Sequence, residues 1–328
     1  MLKLIRSILF IIIEIVLLPI TIVGVIIFGV DFLLKIHGKN ISMTAYDPFF
    51  ARWLLDVLGK REDEASKQLF YTLPGISPLT VGLAFGTTAW AMRITGFTIN
   101  MYDYPVYSSS NLIDALGHRT RFFDEAVTSY LDKVEQVVIL GAGWDTRAYG
   151  LARRKGVRVF EVDEVKTQTQ KRQSLEEANI DITDVIFAAA DFNKESWLDA
   201  LNRVDFDPGK PTFVLMEGVT YYLEGEAVEA TLQMVAAQLA KGSAVAFDYA
   251  GKHVIEGDSS LFWRLIIPMI RLAGEAWKYG ISTDHPAEEQ LTAFLAQNGL
   301  KLAGYEPIGN GDKQGRLNGG LALAVNDL

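Results

Sequence analysis

"EQVVILGAGWDTRAYGLARRKGVRVFEVDE", residues 135–164, decides the fold. One apolar, β-branched run ends in Gly141-Ala142-Gly143 and a second ends at Asp163. Three more such runs follow at 185–190, 212–217 and 243–249. Most gaps between them hold helix-length amphipathic stretches such as "EAVEATLQMVAAQLAK" (226–241). Strand-length runs alternating with helices predict an α/β domain with a doubly wound, mostly parallel sheet. "KLAGYEPI" (301–308) and "GGLALAVNDL" (319–328) lie too close together for a crossover helix, so they are expected as an antiparallel pair at the sheet edge, making seven strands.

In an open α/β sheet the ligand sits beyond the carboxyl ends of the strands, which directs attention to Gly141–Asp145 and to Asp163. Gly141 and Gly143 allow close backbone approach, and Asp163 follows Gly141 by 22 residues, where an acidic side chain receives a ribose diol. Trp144, Asp145 and Thr146 stand where a dinucleotide enzyme prefers small residues, leaving little room for a pyrophosphate. An adenosine cofactor without phosphates, S-adenosyl-L-methionine, is the expected ligand.

"RTRFFDEAV" (119–127), "VVILGAGWDTRAY" (137–149), "VFEVD" (159–163), "AADF" (189–192) and "PTFVLMEGVTYYL" (211–223) together resemble the ordered motifs of the leucine carboxyl methyltransferase-like family of S-adenosylmethionine-dependent methyltransferases. The resemblance covers about residues 116–250 well and the last strands loosely. It implies a Rossmann-like methyltransferase fold and a set of cofactor contacts. Arg119 would take the methionine carboxylate, Gly141 with Gly143 would admit the cofactor closely, and Asp163 would hold the ribose. Asp191 and Phe192 would hold the adenine, and Glu217 would lie near the methionine ammonium. A guanidinium suits a carboxylate, and carboxylates suit a diol, an amine and an ammonium.

Each assignment has a plainer alternative: Arg119 paired with Asp124, Asp163 as a helix cap, Asp191 as a turn residue, Glu217 as a structural carboxylate. Asp145 and Arg147 are read as helix-start and structural residues. The expected reaction is methyl transfer to a carboxylate or hydroxyl oxygen. A carboxylate acceptor needs no base; for a hydroxyl, Tyr221, Tyr222 and Asp248 are candidates, with Tyr249, His253 and His285 behind them. A catalytically silent S-adenosylmethionine sensor and a nicotinamide-dependent oxidoreductase are the competing functions.

The first 115 residues carry a different signal. Ser7 to Val30 holds 24 residues with one charge, Glu14, enough to match the roughly 30 Å apolar layer of a bilayer. A membrane helix is expected there, with Pro19, Gly24 and Gly29 allowing a hairpin within one leaflet instead. Lys3, Arg6, Lys35 and Lys39 flank both ends, and the catalytic domain is expected on the cytoplasmic side. Glu14 is read as a paired or snorkelling carboxylate. "KREDEASK" (60–67) is read as a solvated helix face, and "SPLTVGLAFGTTAWAM" (77–92) as a buried helix, with a membrane-dipping element as the alternative.

The expected organisation is an anchor over 1–38, a helical region over 39–115 and the methyltransferase domain over 116–328, with an insertion at 251–284. That insertion carries "SLFWRLIIPMIRLAGEAW", apolar enough to predict a lipid-like acceptor, although a small-molecule acceptor with a simple buried helix is the plainer alternative. A net charge of −9 without a long basic run argues against nucleic acid, and the absence of cysteine excludes disulfides and thiolate metal sites. Four histidines without metal-ligand spacing give no reason to expect a metal. The oligomeric state is left open.

Overall fold

In the computed structural model, which describes residues 2–36, 45–97, 99, 104–108, 112–153, 156–192, 194–272 and 275–327, the chain opens with α1 (Leu2–Ile36). The helix continues through Pro19, as expected for 7–30, and the alternative hairpin does not form. A proline removes one N–H from the ladder, but an apolar run offers no competing side-chain partner, and the remaining groups keep their helical bonds. Lys39, the side chain of Lys35 and the 38/39 boundary lie outside the described residues.

α1 does have an antiparallel companion, from further along the chain. After α2 (Tyr46–Val57) and α3 (Glu64–Phe70) come α4 (Pro78–Val81), a π-helical turn at Gly82–Gly86 and α5 (Thr87–Thr95), consecutive along the chain. Thr88 Oγ1 donates to Glu14 Oε2 (3.1 Å), Thr21 and Thr87 hydroxyls meet at 2.8 Å, and Thr80 Oγ1 donates to Asp31 Oδ2 (3.5 Å). A Cβ on Gly24 would fall 2.3 Å from the Leu83 carbonyl, so only glycine lets the helices come this close. Residues 77–92 are therefore not a buried helix. α1 covers one flank, while Leu79, Phe85, Trp90 and Ile94 are exposed on the other.

α6 (Leu112–Tyr130) leads into the sheet. There follow β1 (Gln136–Leu140), β2 (Arg158–Asp163), α7 (Val165–Glu177), β3 (Val185–Ala189), α8 (Trp197–Asn202), β4 (Thr212–Met216), α9 (Gly225–Gln238) and β5 (Ala244–Ala250). The insertion gives α10 (Lys252–Ile255) and α11 (Leu261–Leu272); α12 (Ala287–Gln297), β6 (Lys301–Ile308) and β7 (Gly319–Val325) complete the order. The seven strands run β3-β2-β1-β4-β5-β7-β6. β1 to β5 pair in parallel, and β7 pairs antiparallel with both β5 and β6.

Successive side chains leave a strand on opposite faces, and each face here has its own core. Val137, Ile139, Phe213 and Leu215 join Phe123 of α6 and Phe49, Leu69 and Phe70 of α2 and α3. Val138, Leu140, Val214 and Phe247 join Trp197, Leu232 and Leu295 on the other face. The helices at 46–70 thus share a core with the sheet.

Candidate active site

A cavity of about 890 Å³ opens beyond the carboxyl ends of β1, β2, β4 and β5. Its size lies near the top of the roughly 300–1,000 Å³ range of ligand sites, room for a cofactor and part of a second molecule. The loop after β1 forms one wall. Gly141 N and Ala142 N donate to Val162 O (2.8 and 3.2 Å), fastening the loop across β2. Gly141 has φ +60°, and a Cβ there would lie 2.6 Å from Val219 Cγ2. Gly143 N donates to Asp163 Oδ2 (2.6 Å), and Glu164 N to Asp163 Oδ1 (2.7 Å). Burial pushes the Asp163 carboxyl up to about 6, a rise that these two N–H groups only partly offset.

No α-helix follows this loop. Asp145 Oδ1 accepts from Arg147 N (2.8 Å) and caps a single 3₁₀ turn, Arg147–Tyr149, where a helix start was expected. A pyrophosphate would thus lack the helix N-terminus that normally receives it. Trp144 is buried against Tyr46 of α2, with ring centroids 5.7 Å apart. Lys171 of α7 braces the loop from behind, donating to Asp145 O and to Glu161 Oε1, both at 2.8 Å.

The cavity floor is a network of buried charge. Glu217, just past β4, accepts from Arg119 Nε (3.0 Å), Arg52 Nη1 (3.0 Å) and Arg147 Nη1 (2.5 Å). Burial alone would raise the Glu217 carboxyl, but Arg147, Arg52 and Arg119 more than reverse this and hold it below its ordinary value. Arg147 also donates to Asp145 Oδ2 (2.6 Å) and Asp124 Oδ1 (2.7 Å). Asp124 Oδ2 accepts from Arg61 Nε (2.6 Å), Arg61 pairs with Asp63, and Thr146 Oγ1 donates to Asp63 Oδ2 (2.6 Å). The charged stretch at 60–67 is therefore not simply a solvated face: Arg61 and Asp63 are buried because Asp124 and Thr146 meet them from the domain.

Arg119 is the most accessible of these arginines, its side chain 14% exposed against 1–2% for Arg147 and Arg52. Its Nη1 lies 3.2 Å from Asp248 Oδ2 and 3.4 Å from the Tyr221 hydroxyl. Asp124 is taken by Arg61 and Arg147, so the plainer pairing of Arg119 with Asp124 does not occur. Asp248 also accepts from Gly218 N (2.7 Å); burial raises its carboxyl, with Arg119 offsetting part of the rise. Tyr221 donates to Asp248 Oδ2 (3.5 Å), and burial lifts its phenol well above the ordinary value. Tyr222 also lines the cavity.

Arg119, Gly141, Gly143, Asp163, Phe192, Glu217, Tyr221, Tyr222 and Asp248 thus come together around one cavity. Asp191 does not join them on the wall. Lys194 Nζ donates to its carboxylate (2.5 Å), and its carbonyl accepts from Lys194 N and Glu195 N, a turn beside the cavity. Arg52 is one of the lining residues that sequence reasoning missed. Its signal was a lone arginine in the aromatic helix "YDPFFARWLLDV", a setting in which a cation needs a buried carboxylate.

Another part of the lining is largely apolar. Trp263, Ile266 and Ile270 of α11 form it with Trp277 and Leu223. Trp263 and Trp277 rings lie 5.6 Å apart, and Trp277 lies 4.5 Å from Tyr221.

The charge of the floor suits S-adenosylmethionine. Among the described residues, Arg52, Arg61, Arg119 and Arg147 face Asp63, Asp124, Asp145, Glu217 and Asp248, with Asp163 adding another carboxylate at the wall. An excess of carboxylates favours a ligand whose sulfonium and ammonium outweigh its one carboxylate.

The model of the leucine carboxyl methyltransferase family matches residues 97–236. A Streptomyces avermitilis protein named "Putative S-adenosyl-L-methionine-dependent methyltransferase" is 31% identical over 63% of this chain and 73% of its own length. A Rhodococcus jostii protein of the same description is 36% identical over 48% of this chain, which spans about half (55%) of that relative. A solved structure titled "putative methyltransferase from Thermobifida fusca" aligns with TM-score 0.48 and 17% identity over 85% of this chain and 94% of that one. Motifs, sheet order and relatives agree: the chain belongs to the leucine carboxyl methyltransferase family of S-adenosylmethionine-dependent methyltransferases.

Proposed function

We propose that this methyltransferase is membrane-associated and methylates an oxygen, a carboxylate in preference to a hydroxyl, on a lipid-like acceptor. The observation that carries the proposal is one cavity whose lining joins charged residues, Arg119 and Asp163 among them, to the apolar side chains of α11. When bound, S-adenosylmethionine supplies an activated methyl group on a positively charged sulfonium. In this reading Arg119 receives its methionine carboxylate, Asp163 its ribose and Phe192, with Asp191 beside it, its adenine, while Glu217, which accepts from Arg119, lies near the ammonium.

The preference for a carboxylate rests on the candidate bases. Tyr221 stays a phenol at neutral pH, and Asp248 is occupied by Gly218 N and Arg119. Neither is poised to take a proton from a hydroxyl, whereas an ionised carboxylate needs no base. The work left to the protein is to exclude water and align the acceptor oxygen with the methyl group, which Trp263, Ile266 and Trp277 are placed to do.

Membrane association is supported by α1, whose most apolar window is 11% buried. Its close contact with Leu83 and its hydroxyl and carboxylate bonds to Thr80, Thr87 and Thr88 favour a retained helix over a cleaved leader.

The test is incubation with a membrane lipid extract and methyl-labelled cofactor, followed by mass spectrometry. Label is expected in base-labile methyl esters of extractable lipids. Label confined to water-soluble products would overturn the acceptor class, and cofactor binding without any transfer would favour the silent sensor.

A further inference from the structure

The way α1 is held bears on how the protein meets a membrane. Near its C-terminal end, Phe32 packs on Tyr46 of α2, ring centroids 5.1 Å apart, and Phe28 lies 6.4 Å from Phe50. Near the other end, Phe10 joins Ala91 and Met92 in a cluster against which Leu58, the C-cap of α2, also packs. Phe10 and Phe32 are 22 residues apart, about 33 Å along a helix. The C-terminal part of α1 thus packs on the start of α2, and the far end of α2 joins the level of Phe10 through the cluster with Ala91 and Met92, while α2 shares the core of the sheet.

A helix crossing the roughly 30 Å hydrocarbon layer would carry these two levels to opposite sides. Leu58 would go with Phe10, and just beyond Leu58 come Lys60, Glu62 and Glu64, all exposed, with Arg61 between them bound both to Asp63 and to Asp124 of α6. Crossing would force that charged corner into hydrocarbon or tear it from the domain. Yet the exposed circumference of α1 is apolar along its length, with Ile8, Ile12, Ile15, Val16, Val23 and Ile26 facing outward. Such a flank belongs in acyl chains rather than water.

We propose that α1 and its companion at 78–95 lie in one leaflet, parallel to its plane, and that the protein is monotopic. The occupant of the exposed flank is the acyl region of a bilayer. Lys3, Arg6 and Arg93 are exposed at one end of the pair, where Arg6 comes beside Gly96, and they give an acidic chain a local positive charge suited to anionic headgroups. Leu261, Phe262, Leu265 and Met269, on the outward side of the helix that roofs the cavity, supply a second apolar surface for the same leaflet. The proposal rests on the membrane-associated function above and adds its geometry.

The chain contains no cysteine, so single cysteines report cleanly. Full-length Lys3→Cys and Lys241→Cys, each checked for cofactor binding, are reconstituted into sealed phosphatidylcholine–phosphatidylglycerol vesicles and exposed to a membrane-impermeant maleimide before and after detergent. Lys241 is exposed in the loop before β5 and marks the side of the catalytic body. The expected result is the same pre-detergent labelled fraction for both positions, within twofold. Lys3→Cys labelled only after detergent, while Lys241→Cys is labelled before it, overturns the monotopic arrangement and leaves membrane association standing. Wild type that fails to float with the vesicles overturns both. Reversing Lys3, Arg6 and Arg93 to glutamate is expected to lower partition onto these vesicles about a hundredfold, at about fivefold per basic residue, with little change on phosphatidylcholine alone. An unchanged partition overturns the headgroup contact.

Discussion

The cavity has a floor in which every carboxylate is held by arginine, hydroxyl or backbone, and a roof, α11, that touches its surroundings through apolar side chains alone where it lines the site. The floor fixes directions: Arg147 meets Asp124, Asp145 and Glu217 at once, and Glu217 in turn sets Arg119. The roof fixes only volume and dryness. A cofactor with fixed polar groups needs the first kind of wall; an acceptor defined by an apolar body is accommodated by the second. Damage to the floor should therefore appear first in stability and cofactor affinity, and damage to the roof in acceptor kinetics.

The harshest test of that division is Arg147→Met. It takes from Asp145 its close cation and from Asp124 and Glu217 one of their arginines, and is expected to cost about 3–5 kcal/mol of stability, read from denaturant unfolding in detergent. A loss below about 1 kcal/mol would show the floor to be far more solvated than its geometry indicates.

Next come Arg119→Ala and Asp163→Ala. Each is expected to weaken S-adenosylmethionine binding by roughly 1.5–3 kcal/mol in calorimetric titration, with the circular dichroism spectrum retained. Unchanged affinity in either variant would remove that residue from the cofactor site.

pH sharpens the same point. Because burial raises Asp163 to about 6, the fold favours its protonated form. The stability linked to this group is present in acid and lost as pH rises through about 6. Its capacity to accept two hydroxyl donors runs the other way, appearing as the carboxylate forms. Cofactor affinity should thus rise through about pH 6, and Asp163→Asn should flatten that part of the profile. A step that persists in Asp163→Asn would assign it to another group.

The smallest effects belong to the roof. Ile266→Asp and Ile270→Asp should raise the acceptor KM while leaving the cofactor Kd unchanged, since both side chains belong to the apolar part of the lining. Phe262→Ser and Leu265→Ser, on the outward side, should shift stability by no more than about 0.5 kcal/mol and reduce turnover only of acceptor presented in vesicles. Equal losses on soluble acceptor would erase the distinction between the two sides of α11.

What was legible in the sequence follows from the range of the forces involved. β1, β2 and β5 start and stop within a residue of their apolar runs, because parallel strands covered on both faces are written as continuous hydrophobic segments. The glycine loop and Asp163 were legible because backbone approach and strand-end position are local properties. Arg61 and Asp63 were not: a charged stretch looks the same whether water or Asp124, some sixty residues away, completes it. Asp191 stands beside the lining, between Ala190 and Phe192, and its turn with Lys194 is not written in "AADF". The helix at 77–92 was given a buried face all round, since composition cannot say that α1 would cover a single flank.

β7 carries a consequence for how the protein is made. It is the last of the seven strands in chain order, yet it lies inside the sheet, between β5 and β6. Until the ribosome has delivered residues 319–325, the outer edge of β5 has no partner for its backbone groups, and an open edge invites pairing with other chains. α1 emerges some three hundred residues earlier and is free to reach a bilayer throughout that interval. If α1 has reached a lipid surface by then, as proposed above, the open edge of β5 is held there among other nascent chains until its last partner strand is made.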